Sequence, residues 1–427
     1  MEDIFIASEN ENKPIRRTRA RRKPRRRFPW RGAVMLLLAG GVLFCMARFL
    51  QDRDTGKPVQ TSPEAESSGV DDGLRHLTLT AGGDVTLSDP LLVAGLQAGG
   101  AYDYTQALMN LNGLFAGADV AVADLEANFC GAPYSSQTGS APEALAQGLA
   151  ATGIDLVQAA NTYSIYNGVQ GLTDTLARIR GAGLTPLGAY SGADAAGSHV
   201  AVREINGIRV AFVAFTKGLG NLSLPEGSEG CVDLLYTDYS TTYSRIDTAG
   251  IQAVLAAAEK EKPDLTVAMV HWGSEYDGDI SDSQEKIRSI LLDGGVDVIL
   301  GSHSHLPGKL VREQWNGRDT FTAYSLGNLF AAEEQQSAKT GLVLTLSFTK
   351  DLRSGEVTLN DARYTPVYMA SAEESPTGKL QVLDIPAALA LYETRYYQRV
   401  SKEVYEKLIA AMERLEEQTG MAPPALS

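Results

Sequence analysis

The chain has 427 residues, of which 44% are hydrophobic and 42 are glycine. This length and composition allow a large hydrophobic core and argue against helical repeats or disorder along the whole chain. The net charge of −14 is unevenly distributed: residues 1–31 hold 11 of the 38 Lys and Arg residues and 4 of the 52 Asp and Glu residues, which leaves 27 basic and 48 acidic residues, a net charge of −21, in the rest.

A basic block at residues 16–27 precedes an apolar segment at residues 32–50. The block alone would suit a nucleic-acid-binding arm or a localisation signal, but the apolar segment, interrupted only by Arg48, is long enough to cross a membrane. Because positive charge before a span stays in the cytoplasm, we predict a cytoplasmic segment at 1–31, a single transmembrane anchor at 32–50, an extracellular C-terminal domain and no nucleic-acid partner. Residues 51–75 are predicted to be a solvated linker.

Two alternatives to the uncleaved anchor remain open. A cleaved signal peptide has an apolar segment of similar length, although no small-residue cleavage site follows here. A lipid anchor at Cys45 is less favoured, because bulky residues precede that cysteine. Beyond the anchor, Cys130 and Cys231 allow either one disulfide or two free thiols.

From residue 76 onward, strand and helix patterns alternate, which predicts a largely parallel sheet with crossover helices. The predicted strands are 76–81, 118–123, 154–160, 185–189, 198–204, 208–215, 265–270 and 296–300. The predicted helices are 102–115, 142–152, 169–182, 247–261 and 281–294, and a segment rich in Gly, Ser and Tyr occupies 217–246.

After residue 308 the pattern changes to strands without intervening helices, at 308–314, 319–326, 341–349 and 355–364. We interpret them as antiparallel strands of a second sheet packed on the first. Residues 383–419 have helical spacing of apolar side chains. These helices are expected to pack on the domain, and binding of a partner subunit is the alternative.

Polar side chains suited to metal binding follow five of the predicted strands. They are Asp84, Asp124 with Glu126, Asn161, His271, and His303 with His305 in the motif G-S-H-S-H. Each alone would be read as a helix cap or a core residue, but the carboxyl ends of parallel strands meet at one edge of a sheet. Imidazole and carboxylate groups are common ligands of divalent transition metals. The sequence therefore predicts a metal site at this edge.

Several motifs resemble those of the calcineurin-like metallophosphoesterases, and in particular the CapA or poly-γ-glutamate synthesis (PGA_cap) family. They are L-T-A-G-G-D-V at the domain start, A-D-L-E-A-N at 123–128, H-W-G-S-E-Y at 271–276, G-S-H-S-H-L-P-G at 301–308 and Y-S-L-G-N-L-F at 324–330. The resemblance covers about residues 76–368 and implies an α/β fold, a four-layer α/β/β/α sandwich, followed by a helical extension at 369–427.

The resemblance also implies two divalent ions, Mn, Fe or Zn. Asp84 and His305 would bind one ion, Glu126 would bridge, and His271 and His303 would hold the second. Glu275 and Asn328 lie in the matching motifs and are candidates to support the ligands or to bind substrate.

One motif departs from the family pattern. Where the family carries A-N-N-H and then Asp, the ligand Asn falls on Thr162, the catalytic His on Tyr163 and the Asp on Tyr166. Asn161 is a candidate replacement ligand, and Tyr163 and Glu275 are the candidate catalytic groups. Loss of a general acid lowers a rate by ~10²–10⁴-fold, and tyrosine, with an ordinary pKa of about 10, is a poor proton donor at neutral pH.

Two functions are consistent with these features. One is a metal-dependent, phosphoesterase-like hydrolase or transferase acting on an anionic cell-envelope polymer such as poly-γ-glutamate. The other is a non-catalytic accessory subunit that binds the polymer or its membrane synthase. The acidic domain would repel a polyanion, so binding requires bound metal or a local positive group.

Overall fold

The computed structural model describes residues 72–394 and 400–423. The basic segment, the predicted anchor with its alternatives, and nearly all of the linker lie outside these ranges. Within them, no helix combines the length and apolar character needed to cross a membrane.

The described chain is a mixed α/β fold with two β-sheets, as predicted. Its strands are β1 Leu74–Thr86, β2 Val120–Glu126, β3 Leu156–Gln158, β4 Thr185–Leu187, β5 Ala201–Ile205, β6 Ile208–Thr216, β7 Leu265–His271, β8 Val298–Ser302, β9 Leu310–Trp315, β10 Arg318–Ala323, β11 Asn328–Phe330, β12 Thr340–Asp351, β13 Val357–Ala370 and β14 Gln381–Asp384. Its α-helices are α1 Asp89–Gly95, α2 Thr105–Leu108, α3 Asn112–Phe115, α4 Ala144–Ala151, α5 Gly168–Gly181, α6 Thr248–Lys260, α7 Asp282–Asp293, α8 Ile385–Glu393 and α9 Lys402–Thr419.

The first sheet has the order β14-β13-β12-β1-β2-β3-β4, with β11 also pairing with β1. The second has the order β5-β6-β7-β8-β10-β9. The prediction that the strands after residue 308 build the second sheet is wrong: β12 pairs antiparallel with β1, whereas β9 and β10 complete the sheet begun by β5. The prediction failed because buried strands have the same local apolar pattern in either sheet, so the pattern does not identify the strand with which each one pairs.

Three apolar clusters show how the elements pack. One lies between the sheets and contains Leu79 of β1, Phe212 of β6 and Leu344 of β12. A second joins the other face of the first sheet to helices α1–α5, and a third joins the other face of the second sheet to α6 and α7. Each sheet is thus covered on both faces, which is the arrangement that largely parallel strands require.

The C-terminal helix α9 buries its apolar face on the domain. Val404, Leu408, Ala411 and Leu415 recur at helical spacing and belong to the cluster between the sheets. The two cysteines of the described part are free thiols, so the disulfide alternative for Cys130 and Cys231 is wrong.

Candidate metal centre

The predicted site residues lie where strands of both sheets end. In the first sheet, Asp84 of β1 is in register with Asp124 of β2 and with Asn328 of β11. In the second, His271 at the end of β7 is in register with Ser302 at the end of β8. Gly83 permits the close approach of β1 to the loop before β11, because a Cβ at this position would overlap the carbonyl oxygen of Gly327.

Two groups of possible ligands share one residue. Asp84, Glu126 and His305 form one group, and Asp124, Glu126 and His271 form the other; within each, the ligand atoms lie within 4.8 Å of one another. All five side chains are buried. Glu126 is therefore common to both groups.

His305 is held in the first group by two oxygen atoms. Its Nδ1 lies 3.2 Å from Oδ2 of Asp84 and 3.0 Å from Oδ1 of Asn328. Burial alone would lower the pKa of His305, but the hydrogen bond to Asp84 and the negative charges of Glu126 and Asp84 raise it to about 10. Burial raises the pKa of Asp84. Without metal, this pair therefore retains a proton that a bound cation would displace.

The loop between β8 and β9 has a strained backbone at both histidines. The φ angles of His303 and His305 are +88° and +59°, in the left-handed region that side chains other than glycine rarely adopt. The backbone N–H of His303 donates to Oδ2 of Asp84 at 3.2 Å. Such strain concentrates at functional sites, where the surrounding structure holds it.

In the second group, His271 contacts both a carboxylate and the altered motif. Its Nδ1 lies 2.8 Å from Oδ2 of Asp124, and its Nε2 lies 3.0 Å from Oγ1 of Thr162 and accepts the Thr162 backbone N–H at 3.3 Å. Asn161 donates to Oδ1 of Asp124 at 3.1 Å. Thr162 thus bonds to His271 on the side opposite Asp124, and Asn161 orients Asp124.

The buried charges fit a cation. Asp84, Asp124 and Glu126 are at most 2% exposed, and within residues 72–394 and 400–423 they form ion pairs only with histidines. Burial raises the pKa of Glu126 well above its ordinary value. Its Oε1 has no hydrogen-bond partner. Uncompensated buried carboxylates are costly, and a divalent ion would satisfy this set of oxygen and imidazole donors.

Residues 78–333 match the family described as bacterial capsule synthesis protein PGA_cap. The chain belongs to the PGA_cap family. It is similar to the PGA biosynthesis protein CapA of Bacillus subtilis (strain 168), with 31% identity over 175 residues, 40% of this chain and 41% of that protein. It is also similar to the capsule biosynthesis protein CapA of Bacillus anthracis, with 26% identity over 172 residues, 39% and 38% of the two chains.

A probable polyglutamine synthesis accessory protein of Mycobacterium tuberculosis is 27% identical over 148 residues, 35% of this chain and 38% of that protein. The matched segment spans about two fifths of the length of these relatives. Among solved structures, the calcineurin-like phosphoesterase YfkN from Bacillus subtilis gives a TM-score of 0.40 at 13% identity, covering 81% of this chain and 97% of that one. A TM-score this low assigns no shared function.

His303 lies beside both groups without belonging to either. Its ring centroid is 4.4 Å from that of His271, and its buried Nδ1 has no partner. Burial and the neighbouring His271 hold its pKa well below the ordinary value, so the ring is neutral. A neutral, unpartnered imidazole nitrogen is available to bind a metal or a substrate.

The other candidates of the PGA_cap motifs differ in exposure. Asn328 is buried, and its Nδ2 donates to the carbonyl of Ala338 at 2.9 Å while its Oδ1 contacts His305, so it orients this ligand. Glu275 is exposed at the rim of a cleft of about 260 Å³. Burial and the charges of Glu126 and Glu275 raise the pKa of Tyr163 to about 12, which makes it a weaker proton donor than a free tyrosine.

Sequence reasoning left one contributor to this region unassigned and missed another. Asp124 was named among the side chains suited to metal binding but was assigned to neither ion, and the structure places it against His271. Lys217 directly follows β6 and lines the cleft with Thr162, Glu275 and His303. The signal for Lys217 was the same as for the other residues, a polar side chain after a buried strand, within a segment that has few other features.

Proposed function

We propose that this PGA_cap protein serves the synthesis of poly-γ-glutamate or a related anionic cell-envelope polymer, at the outer face of the cell membrane. The segment 32–50 would anchor it with the N-terminus in the cytoplasm. Support comes from the family, from the names of its relatives, which refer to capsule and PGA biosynthesis, and from the positive charge before the apolar segment. The partner would be the polymer or its membrane synthase.

The observation that carries the proposal for the site is that Glu126 is common to two buried ligand groups. One divalent ion would be held by Asp84, Glu126 and His305. The second would be held by Asp124, Glu126 and His271, with His303 beside them. The identity would be Mn, Fe or Zn. Bound, such ions stabilise negative charge on a phosphate-like or carbonyl oxygen and lower the pKa of bound water. We expect weaker binding of the second ion, because Thr162 occupies the place of the family's Asn ligand and bonds to His271.

The residues around the ions would support hydrolysis of a polymer bond only slowly. Asn328 orients His305, and Asn161 orients Asp124. A leaving group needs a proton donor, and Tyr163, with a pKa of about 12, replaces the expected histidine. This same observation favours a second candidate function, a non-catalytic accessory subunit that uses the metal to bind the polymer or the synthase.

Metal content and restoration of the family motif separate the two functions. The full-length wild type is expected to carry at least one divalent ion per chain by elemental analysis. In the hydrolase reading, the double substitution Thr162→Asn with Tyr163→His raises hydrolysis of a model phosphodiester by ~10²–10⁴-fold, the contribution of a general acid. Adding His303→Ala removes that gain.

The outcomes are distinct. Fewer than one ion per chain, unchanged in the double variant, would refute the metal-site proposal and the hydrolase with it. Normal metal content without any gain of activity would favour the accessory subunit. Elemental analysis of a Glu126→Gln variant serves as the negative control, because it removes the residue common to both groups.

A further inference from the structure

We propose that Lys217 forms an anion subsite that shares one cleft with His303, beside the metal centre, and binds an oxyanion, a carboxylate or a phosphate, of a ligand that also reaches His303. This inference rests on the proposed function. The position of Lys217 is determined by the strand pairing of the second sheet: Thr216, the last residue of β6, is in register with His271. The backbone N–H of Lys217 donates to the carbonyl of His271 at 2.8 Å. The lysine is therefore anchored directly to a candidate metal ligand.

The ammonium group is also held in place. Its Nζ donates to the carbonyl of Gly273 at 2.5 Å and lies 4.7 Å from the centre of the Tyr243 ring. Tyr243 is fixed in turn, because its hydroxyl donates to the carbonyl of Gly220 at 3.2 Å. An ammonium has three donors, and the Gly273 carbonyl accepts from one of them.

No carboxylate of the described residues pairs with Lys217. Glu275 is the acidic group that acts on it, from beyond ion-pair distance, and burial lowers the pKa of the lysine. A half-buried cation that has spare donors and no anionic partner is suited to bind an oxyanion by charge-assisted hydrogen bonds.

The cleft joins this cation to His303, which lies beside both candidate ligand groups. Its volume is about 260 Å³, and Lys217, Thr162, Ser274 and His303 are among its lining residues. Lys217 is the one positively charged side chain among the described residues that line it. The chain after residue 31 has a net charge of −21, so this lysine supplies the local positive group that an anionic ligand needs.

A γ-linked glutamyl chain has a carboxylate next to each amide bond. A phosphoryl group likewise has negatively charged oxygen atoms that accept hydrogen bonds, all bonded to one phosphorus atom. The cleft accommodates an oxyanion at Lys217 while a neighbouring group of the same molecule lies at His303. Lys217 would thus select ligands in which an anionic group is a close neighbour of the group that lies at His303, beside the metal centre.

Calorimetric titration of the full-length, metal-loaded chain tests this subsite with two probes, a γ-linked triglutamate and inorganic phosphate. The variants are Lys217→Gln, Lys217→Arg, and the control Lys309→Gln, which removes the same charge from an exposed lysine outside the cleft. We expect Lys217→Gln to weaken binding of at least one probe by about 10- to 100-fold, the range of a charge-assisted hydrogen bond, with metal content unchanged. Lys217→Arg retains part of the affinity, and Lys309→Gln binds as the wild type.

The probe that loses affinity identifies the source of the oxyanion. If Lys217→Gln loses affinity for triglutamate alone, and the α-carboxamide analogue of triglutamate does not bind the wild type, the oxyanion is a carboxylate. If the variant loses affinity for phosphate alone, the oxyanion is a phosphoryl group. The subsite is refuted if the wild type binds neither probe, or if Lys217→Gln binds both as tightly as the wild type. Failure of the metal-site proposal would be seen separately, as absence of metal from the wild type.

Discussion

Glu126 is the residue on which the candidate metal centre depends. Its side chain is 2% exposed and lies beside the carboxylates of Asp84 and Asp124. Its Oε1 has no hydrogen-bond partner. Burial, together with the charges of Asp84 and Asp124, raises its pKa well above the ordinary value, although His305 acts in the opposite direction. The native state therefore holds a proton on this carboxyl that the unfolded chain releases, unless a metal ion takes its place.

Glu126→Gln is expected to have opposite effects with and without metal. In the metal-free protein the substitution removes a buried carboxyl that folding forces to take up a proton, so it leaves the free energy of unfolding unchanged or raises it. Because the folded pKa is raised, the wild type loses stability as pH rises from the unfolded value of about 4.5 towards the folded pKa, and the advantage of the Gln variant grows over that range. In the metal-loaded protein the same variant loses ions.

Thermal denaturation at several pH values, paired with elemental analysis, measures both effects. Glu275→Gln is the matched control, because it removes an acid beside the site that is exposed and belongs to neither ligand group. Equal metal content in Glu126→Gln and wild type would contradict the bridging role.

Among the elements, helix α9 is attached to the domain by an ion pair with a carboxylate whose side chain is 7% exposed. Glu374, in the turn after β13, accepts from Nζ of Lys407 of α9 at 2.7 Å and from Nζ of Lys339 at 3.0 Å. Burial would raise the pKa of Glu374, but these bonds and the backbone N–H of Ser371 lower it to about 2. The stabilisation from this depressed pKa is present above the unfolded value of about 4.5 and is lost as pH falls through about 2.

Glu374→Gln should lower the free energy of unfolding at pH 7 by about 1–3 kcal/mol, because it leaves partly buried ammonium donors without their charged partner. Glu403→Gln removes the other partner of the same Lys407, an exposed carboxylate one helical turn away at 2.9 Å, and should cost about 0.3–0.5 kcal/mol. Denaturant unfolding at pH 7, 5 and 3 measures the difference, which should shrink between pH 5 and pH 3. Equal effects of the two substitutions would show that the attachment of α9 does not depend on Glu374.

For the molecule as a whole, the candidate metal centre joins the two sheets. Asp84, Asp124 and Glu126 come from the first sheet, His271 comes from the second, and His303 and His305 follow β8. A bound ion would therefore add a link between two layers that pack on each other through an apolar cluster and a few polar contacts. Ligands that bind only the folded state stabilise it by mass action, by about 2.7 kcal/mol at a concentration of 100 times Kd.

Chelation should accordingly lower the melting temperature of the full-length wild type, with little effect on Glu126→Gln. Hydrogen exchange should accelerate at the ends of β1, β2, β7 and β8, where the ligands lie, and should change little in β13 and α9. A uniform change along the chain, or none after complete removal of metal, would contradict a role of the ion between the sheets.

The local pattern alone was sufficient for most elements of this PGA_cap protein. The helices predicted at 169–182, 247–261 and 281–294 correspond within about one residue at each end to α5, α6 and α7. The polar residues at the ends of β1, β2 and β7 and after β8 also lie close together, but they come from the ends of strands in two sheets and not from one edge of a single sheet, as the pattern had predicted. Helix caps, hydrophobic periodicity and strand ends depend on residues that are close together in the sequence, so they can be predicted from the sequence alone.

Only the tertiary structure decided which strands pair and which side chains meet. β12 pairs with β1 and not with β9 or β10, Asp124 meets His271 across 147 positions of sequence, and Lys217 reaches the carbonyl of Gly273 beside the cleft. The sequence by itself determined the types of most elements, the basic N-terminal segment and the acidic remainder of the chain, and most of the candidate ligands. It could not determine these partners, because a strand's hydrogen bonds and a buried charge are satisfied by residues far along the chain, and such contacts exist only after the two sheets have packed.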